Sequence, residues 1–101
     1  VAHGEGRAQF ESNKSFDKFS EEKLAVIKYC DDESSPTQNY PLNPNGSKDA
    51  IAGCTSKDGR ITAMMPHPER AFLNRQISWT DVEDEFSPWK MIFLNARKVI
   101  N

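Results

Sequence analysis

His67 and Glu69 stand two residues apart in the run Met64-Met65-Pro66-His67-Pro68-Glu69-Arg70, directly after the apolar stretch Ile61-Thr62-Ala63-Met64-Met65. In an extended chain, side chains at positions i and i+2 point to the same face. Pro66 and Pro68 stiffen the segment and bias the residues before them towards extended conformations. On that geometry His67 and Glu69 share a face. A carboxylate so placed holds an imidazole in one tautomer and favours its charged form. This is the base and its orienter from a nucleophilic triad, with the nucleophile still to be found. An HxE pair at a strand end also arises by chance, so spacing does not assign catalysis by itself.

Other residues that could do chemistry are sparse. Cys30 and Cys54 are the only cysteines, and two isolated cysteines make neither a disulfide framework nor a zinc knuckle. Each lies in or beside an apolar run, so both read as buried structural thiols. A metal site could draw on His3, His67, Cys30 and Cys54, but no pair among them has zinc-ligand spacing, and none is expected. His3-Gly4-Glu5-Gly6 carries two glycines that allow close backbone approach to a ligand, or that simply make a turn. Asn43-Pro44-Asn45-Gly46 is first of all a rigid turn.

The string Gly59-Arg60-Ile61-Thr62-Ala63-Met64-Met65-Pro66-His67-Pro68-Glu69-Arg70 closely resembles the C-terminal motif of class I (triad) glutamine amidotransferases. Three further segments fit the same family, in the same order and with matching spacing. They are Val1-Ala2-His3-Gly4-Glu5-Gly6-Arg7, Tyr40-Pro41-Leu42-Asn43-Pro44-Asn45-Gly46-Ser47, and Ser87-Pro88-Trp89 leading into Asn95-Ala96-Arg97-Lys98. The resemblance covers essentially the whole chain. It looks closest to the glutaminase domain of the purine-biosynthetic amidotransferases, and its last segment looks more like their large fused form than the small separate subunit.

That resemblance implies an α/β fold, a doubly wound, flavodoxin-like glutaminase domain with a central sheet. Residues 1–101 would be its C-terminal part, a fragment of the type 1 domain. It implies that His67 and Glu69 are the His and Glu of a Cys-His-Glu triad. The family's nucleophile sits on a strand-to-helix elbow flanked by glycines. Cys54 follows Gly53, but Thr55 and Ser56 supply neither a second glycine nor a helix, and the family's elbow lies upstream of everything present here. The isolated chain is therefore expected to be inactive. Backbone groups around Ala2, Gly4 and Glu5 would contact the amino-acid moiety of glutamine. The segment at 43–46 would wall the glutaminase site or touch the synthase domain. The implied partners are glutamine and the remainder of the parent synthase, including its nucleophile-bearing segment. By the same resemblance ATP and magnesium would belong to that synthase part, and no phosphate-binding motif here suggests otherwise. The expected compartment is the cytoplasm.

Composition narrows the classes. The chain has 101 residues, enough for one domain or part of one. Two Trp and six Phe argue against disorder throughout. A net charge of −2 points to neither nucleic acid nor an anionic membrane as partner. No apolar run approaches the roughly 20 residues of a membrane helix, and no signal peptide is visible. The first residue is Val rather than Met, which suggests a processed or truncated product.

The elements that must carry the pair can be read from pattern. Phe16 and Phe19 are three apart, as on one face of a short helix within the polar stretch 11–22. Residues 24–29 form an apolar strand suited to burial on both faces. Loops follow at 31–36 and 40–47, the second with two prolines and Asn45-Gly46. Residues 51–55 and 60–65 flank Ser56-Lys57-Asp58-Gly59, whose Asp-Gly pair favours positive φ and predicts a β-hairpin. Residues 71–86 read as mostly loop, with acidic residues at Asp81, Glu83, Asp84 and Glu85. Ser87 then caps a final amphipathic helix with Pro88 in its first position. Trp89, Ile92, Phe93, Ala96, Val99 and Ile100 give it one apolar stripe, and Arg97 and Lys98 complement its dipole.

A fragment cut from a doubly wound domain exposes such a stripe and its strand edges. The chain is therefore expected to be ordered only with a partner, either the rest of its domain or a second copy. The rival reading is a small α/β binding module, for an anion or a protein, without catalysis. It explains a chain with no nucleophile but leaves the His-Pro-Glu segment and the four-part resemblance as coincidence.

Overall fold

In the computed structural model, which describes residues 6–81 and 83–100, the chain divides into two compact units, Val1–Pro66 and His67–Asn101.

The first unit starts from Ser12, whose hydroxyl accepts the Ser15 N–H at 3.2 Å and caps α1 (Asn13–Glu21). Phe16 and Phe19 are its half-buried residues. Both rings meet Phe10 at centroid distances of 5.1 Å, so the three-residue spacing does mark the packed face. Lys23, at φ 53°, turns the chain out of the helix and into β1 (Ala25–Lys28). The remaining strands are β2 (Ile51–Thr55) and β3 (Thr62–Met64). The sheet is antiparallel throughout, in the order β1-β2-β3.

The β2–β3 hairpin forms where the Asp-Gly signal puts it. Gly59 has φ 70° with open space around its α-carbon, a conformation that costs a Cβ-bearing residue more. Asp58 accepts the Ser56 hydroxyl at 2.6 Å and the Arg60 N–H at 3.1 Å. These two bonds, the hydroxyl first, hold its carboxyl below the usual carboxylate range. The register runs Thr55↔Thr62, Cys54↔Ala63 and Gly53↔Met64.

The strand at 24–29 departs from expectation. Its residues alternate between half-buried and exposed, and Val26 is 52% exposed. Among the described residues β1 pairs with β2 alone, and irregularly, and only one of its faces is covered, as its alternating burial shows. The core sits instead on Tyr29, Ala50 and Ala52, with Ile27 packed against them. Cys30, read as a buried thiol, is exposed in an isolated bridge with Pro36, and Cys54 is only partly buried. Both lie outside the small core, Cys30 past the end of β1 and Cys54 towards the hairpin end of β2.

The second unit is organised around Ser87 and two phenylalanines. Leu73 and Phe86 form an isolated antiparallel bridge, and the Phe72 and Phe86 rings stack at 6.3 Å. The Ser87 N–H donates to the Phe72 carbonyl at 2.7 Å and its hydroxyl donates to the Ala71 carbonyl. A 3-10 turn at Asn74–Gln76 interrupts the loop. The final helix, α2, runs Lys90–Ile100, two residues later than the cap motif implied. Ser87 still receives the first free donors: its hydroxyl accepts from Trp89 N–H at 3.3 Å and its carbonyl from Lys90 N–H at 3.1 Å. Lys90 places its ammonium 3.2 Å from the Phe86 ring centre. The apolar stripe of α2 is exposed, with Ile92, Phe93, Val99 and Ile100 between 41% and 87% accessible.

Candidate functional site

His67 opens the second unit and is itself extended, at φ −104° and ψ 93°, as a residue preceding proline should be. The chain then departs from the expected strand. Pro68–Arg70 is a single 3-10 turn with Pro68 in its first position. It is closed by Arg70 N–H to the His67 carbonyl at 3.0 Å and Ala71 N–H to the Pro68 carbonyl at 3.1 Å. Pro68 is buried, while the His67 and Glu69 side chains are 43% and 57% exposed. The proline anchors the turn and its two neighbours face solvent.

Across this turn, His67 Nδ1 lies 2.8 Å from Glu69 Oε1. The two residues meet because the backbone folds between them, and not because an extended chain gives them a common face. The Glu69 carboxyl is held below its ordinary range, first by its own backbone N–H and then by the bond to His67. The charges of His67 and Arg70 add to this. An ionised carboxylate on Nδ1 leaves Nε2 as the nitrogen for proton transfer. That is what a base–orienter pair needs, and what an exposed surface ion pair can also display.

Neither cysteine stands at a strand-to-helix turn. Cys54 lies within β2, and Cys30 lies in its bridge to Pro36. Ala2, Gly4 and Glu5, together with His3, lie outside the described residues. Among the described residues no three His, Cys, Asp or Glu side chains converge as a metal site would require. Among them, too, no helix is long and apolar enough to cross a membrane.

The segment at 43–47 holds more than a rigid turn. Asn43 is 1% exposed and Ser47 fully buried. The Asn43 carbonyl oxygen Oδ1 accepts the Gly46 and Ser47 N–H groups, each at 3.1 Å. Its amide donates to the Thr37 and Ser47 carbonyls at 3.1 and 3.2 Å. Asn45 donates to the Gly6 carbonyl, and the Ser47 hydroxyl accepts the Ala8 N–H at 3.1 Å. These ties across 39 residues had no signal in the sequence beyond two amides and a serine in a tight turn.

Residues 1–100 match the CobB/CobQ-like glutamine amidotransferase domain. The chain is 45% identical over 104 positions to the phosphoribosylformylglycinamidine synthase of Drosophila melanogaster, an alignment covering 95% of this chain and 8% of that protein. It is 50% identical over 102 positions to a probable phosphoribosylformylglycinamidine synthase, chloroplastic/mitochondrial, of Arabidopsis thaliana, covering 96% of this chain and 7% of that protein. The chain thus spans less than a tenth of the length of these relatives. With the match running across almost its whole length, the chain belongs to the CobB/CobQ-like glutamine amidotransferase domain family.

Proposed function

We propose that residues 1–101 are the C-terminal part of the glutaminase domain of a large, fused phosphoribosylformylglycinamidine synthase, and that His67 and Glu69 are two members of its Cys-His-Glu triad. The observation that carries the reading is the 2.8 Å contact between His67 Nδ1 and Glu69 Oε1 on an exposed turn. It occurs in a chain 45–50% identical to proteins of that name. In this reading the parent domain is a doubly wound, flavodoxin-like α/β glutaminase. The antiparallel sheet β1-β2-β3 and α2 are the pieces of it that this chain supplies.

The chemistry uses each residue once. An upstream cysteine thiolate attacks the carboxamide carbon of glutamine and forms a γ-glutamyl thioester. His67 protonates the departing ammonia and then takes a proton from the water that hydrolyses the thioester. Glu69 fixes the imidazole and stabilises its charged form. Backbone groups around Ala2, Gly4 and Glu5 hold the amino-acid end of glutamine. Ammonia passes to the synthase part, where formylglycinamide ribonucleotide becomes the amidine at the expense of ATP. ATP and magnesium belong, in this reading, to the synthase part of the parent protein. The proposed compartment is the cytoplasm, although the name of the Arabidopsis relative puts that protein in chloroplasts or mitochondria.

The test is His67→Ala in the full-length parent. Glutamine-dependent synthesis falls by about 10² or more, the usual contribution of a general acid–base residue. Synthesis driven by added ammonia continues. Loss of both in a folded enzyme, or of neither, removes His67 from this role.

A further inference from the structure

We propose that Ser87 is a positioning residue for the His67–Glu69 pair, acting through the main chain at the exit of the turn that carries both. The inference rests on the reading of His67 and Glu69 as triad members, and extends it to the residue that fixes their backbone.

The turn has little to hold it by itself. Pro68–Arg70 is a single 3-10 turn, closed by Arg70 N–H to the His67 carbonyl at 3.0 Å and Ala71 N–H to the Pro68 carbonyl at 3.1 Å. Such a turn has poorer hydrogen-bond geometry than an α-helix, and no further turns share the cost of forming it. The His67 and Glu69 side chains are 43% and 57% exposed, so packing around them does not set their spacing. Buried Pro68 secures the entry of the turn. The exit needs its own anchor.

Ser87 supplies it. Ala71 ends the turn, and its carbonyl accepts the Ser87 hydroxyl across 16 positions of sequence. The next carbonyl, that of Phe72, accepts the Ser87 N–H at 2.7 Å. One residue thus ties two consecutive main-chain groups directly after the turn. Ser87 is 3% exposed, so water competes little for these bonds. Its own place is fixed by its neighbours. Leu73 bridges to Phe86, the Phe72 and Phe86 rings stack, and the Asn74 N–H donates to the Glu85 carbonyl at 3.0 Å. On its other side the Ser87 hydroxyl accepts the Trp89 N–H at 3.3 Å, where α2 begins. The hydroxyl therefore gives its proton to the exit of the turn and its lone pair to the start of the helix. Proton transfer is sensitive to such support, since a misplacement of about 1 Å can cost about 10² in rate. Because the pair moves protons and does not grip glutamine, a loosened turn should show in the chemical step and not in affinity.

The experiment compares Ser87→Ala and Ser87→Gly in the full-length parent, with His67→Ala as control. Both Ser87 variants lose the hydroxyl tie to Ala71 and keep the main-chain bond to Phe72. Glycine starts a helix nearly as well as serine and alanine does not, so the two variants differ in the cap and agree in the lost tie. Ammonia release at saturating glutamine, KM for glutamine, ammonia-driven synthesis and the thermal midpoint are measured for each. Release is expected to fall about tenfold in both, the scale of one lost hydrogen bond felt as misplacement, with KM and ammonia-driven synthesis close to the parent's. Ser87→Ala combined with Glu69→Gln should be little worse than Glu69→Gln alone, because both act on one pair. Unchanged release in both Ser87 variants overturns the proposal. So does a fall confined to Ser87→Ala, which would belong to the cap, or a double variant in which the two effects multiply. A parallel fall of glutamine- and ammonia-driven rates that follows the loss of folded protein overturns it as well. If His67→Ala abolishes glutamine use while the Ser87 variants match the parent, only the positioning role is lost. If His67→Ala leaves glutamine use intact, the glutaminase reading fails and takes the positioning role with it.

Discussion

Nδ1 of His67 lies 2.8 Å from Oε1 of Glu69, and the bond spans a 3-10 turn whose first residue, Pro68, is buried. The buried ring fixes the turn, the turn fixes the spacing of its two exposed neighbours, and the carboxylate occupies one particular nitrogen of the imidazole. The pair is oriented by the backbone and does not depend on packing around the side chains.

Replacing Glu69 tests the orientation directly. Glu69→Gln keeps the length and removes the charge, so His67 Nδ1 loses its carboxylate partner. In the full-length parent, ammonia release from glutamine is expected to fall by about 10² or more, with ammonia-driven synthesis retained. An unchanged glutaminase rate would take Glu69 out of the mechanism.

The pH dependence of the same group has a defined sign. Its carboxyl is depressed, chiefly by its own backbone N–H and next by the bond to His67. The contribution of the ionised carboxylate is therefore fully present above the ordinary carboxylate range, and is lost only as pH falls through the lowered value. A carbon NMR titration of labelled glutamate should put the Glu69 midpoint below that of ordinary exposed glutamates. His67→Ala should raise it only part of the way, because the backbone bond remains. A midpoint at or above the ordinary range contradicts the geometry of the turn.

The hairpin offers a test of the fold. Gly59 stands at φ 70° with nothing near its α-carbon, so a side chain there meets backbone strain and no clash. Gly59→Ala should lower stability by about 1 kcal/mol, and Gly59→Asn by less. Denaturant unfolding of the parent domain measures both. Equal stability of all three would mean that the turn adopts another conformation.

Asn43 should be the costliest polar residue to lose. Asn43→Ala leaves two N–H groups and two carbonyls without its side chain in a site closed to water, a loss of about 2–4 kcal/mol. Asn43→Asp keeps both acceptor bonds and loses both donor bonds, and should fall between. Unfolding midpoints rank them, and a neutral Asn43→Ala would show that the loop repacks freely.

The isolated 101-residue chain should release no ammonia from glutamine and should associate. Ile92, Phe93, Val99 and Ile100 of α2 are exposed, and among the described residues β1 and β3 are the outer strands of the sheet. Light scattering at micromolar concentration should report species larger than a monomer, or an unfolded chain. A compact monomer that unfolds cooperatively would favour a self-sufficient binding module.

What the sequence disclosed follows the range of the forces involved. The Asp58-Gly59 turn, the Phe16–Phe19 face of α1 and the periodic stripe of α2 are set by residues within one or two turns of each other, and all three are found. Burial is not local. Residues 24–29 read as a doubly covered strand because they are apolar, yet among the described residues β1 is an outer strand of the sheet, and nothing within those residues encodes the strand order. The extent of the core is equally non-local, so neither cysteine's burial could be read from its own apolar run. At the candidate site, the meeting of His67 and Glu69 was legible but its backbone was not. Pro68 is compatible with an extended chain and with the first position of a 3-10 turn, and its burial favours the turn. The ties from Asn45 and Ser47 to Gly6 and Ala8 were the least legible feature, because they join positions 39 residues apart.

That separation has a kinetic side. The bond from Ala8 to Ser47 closes a loop containing α1, β1 and the turns between, so its closure entropy is offset only once those elements have collapsed. The ties therefore form late, and their breakage frees Gly6 and Ala8 without dismantling the sheet. Amide exchange at Ala8 should report this as an opening of lower free energy than at Ile51 or Ala52. The tie between Ala8 and Ser47 can come unlatched and relatch many times within the lifetime of one folded molecule.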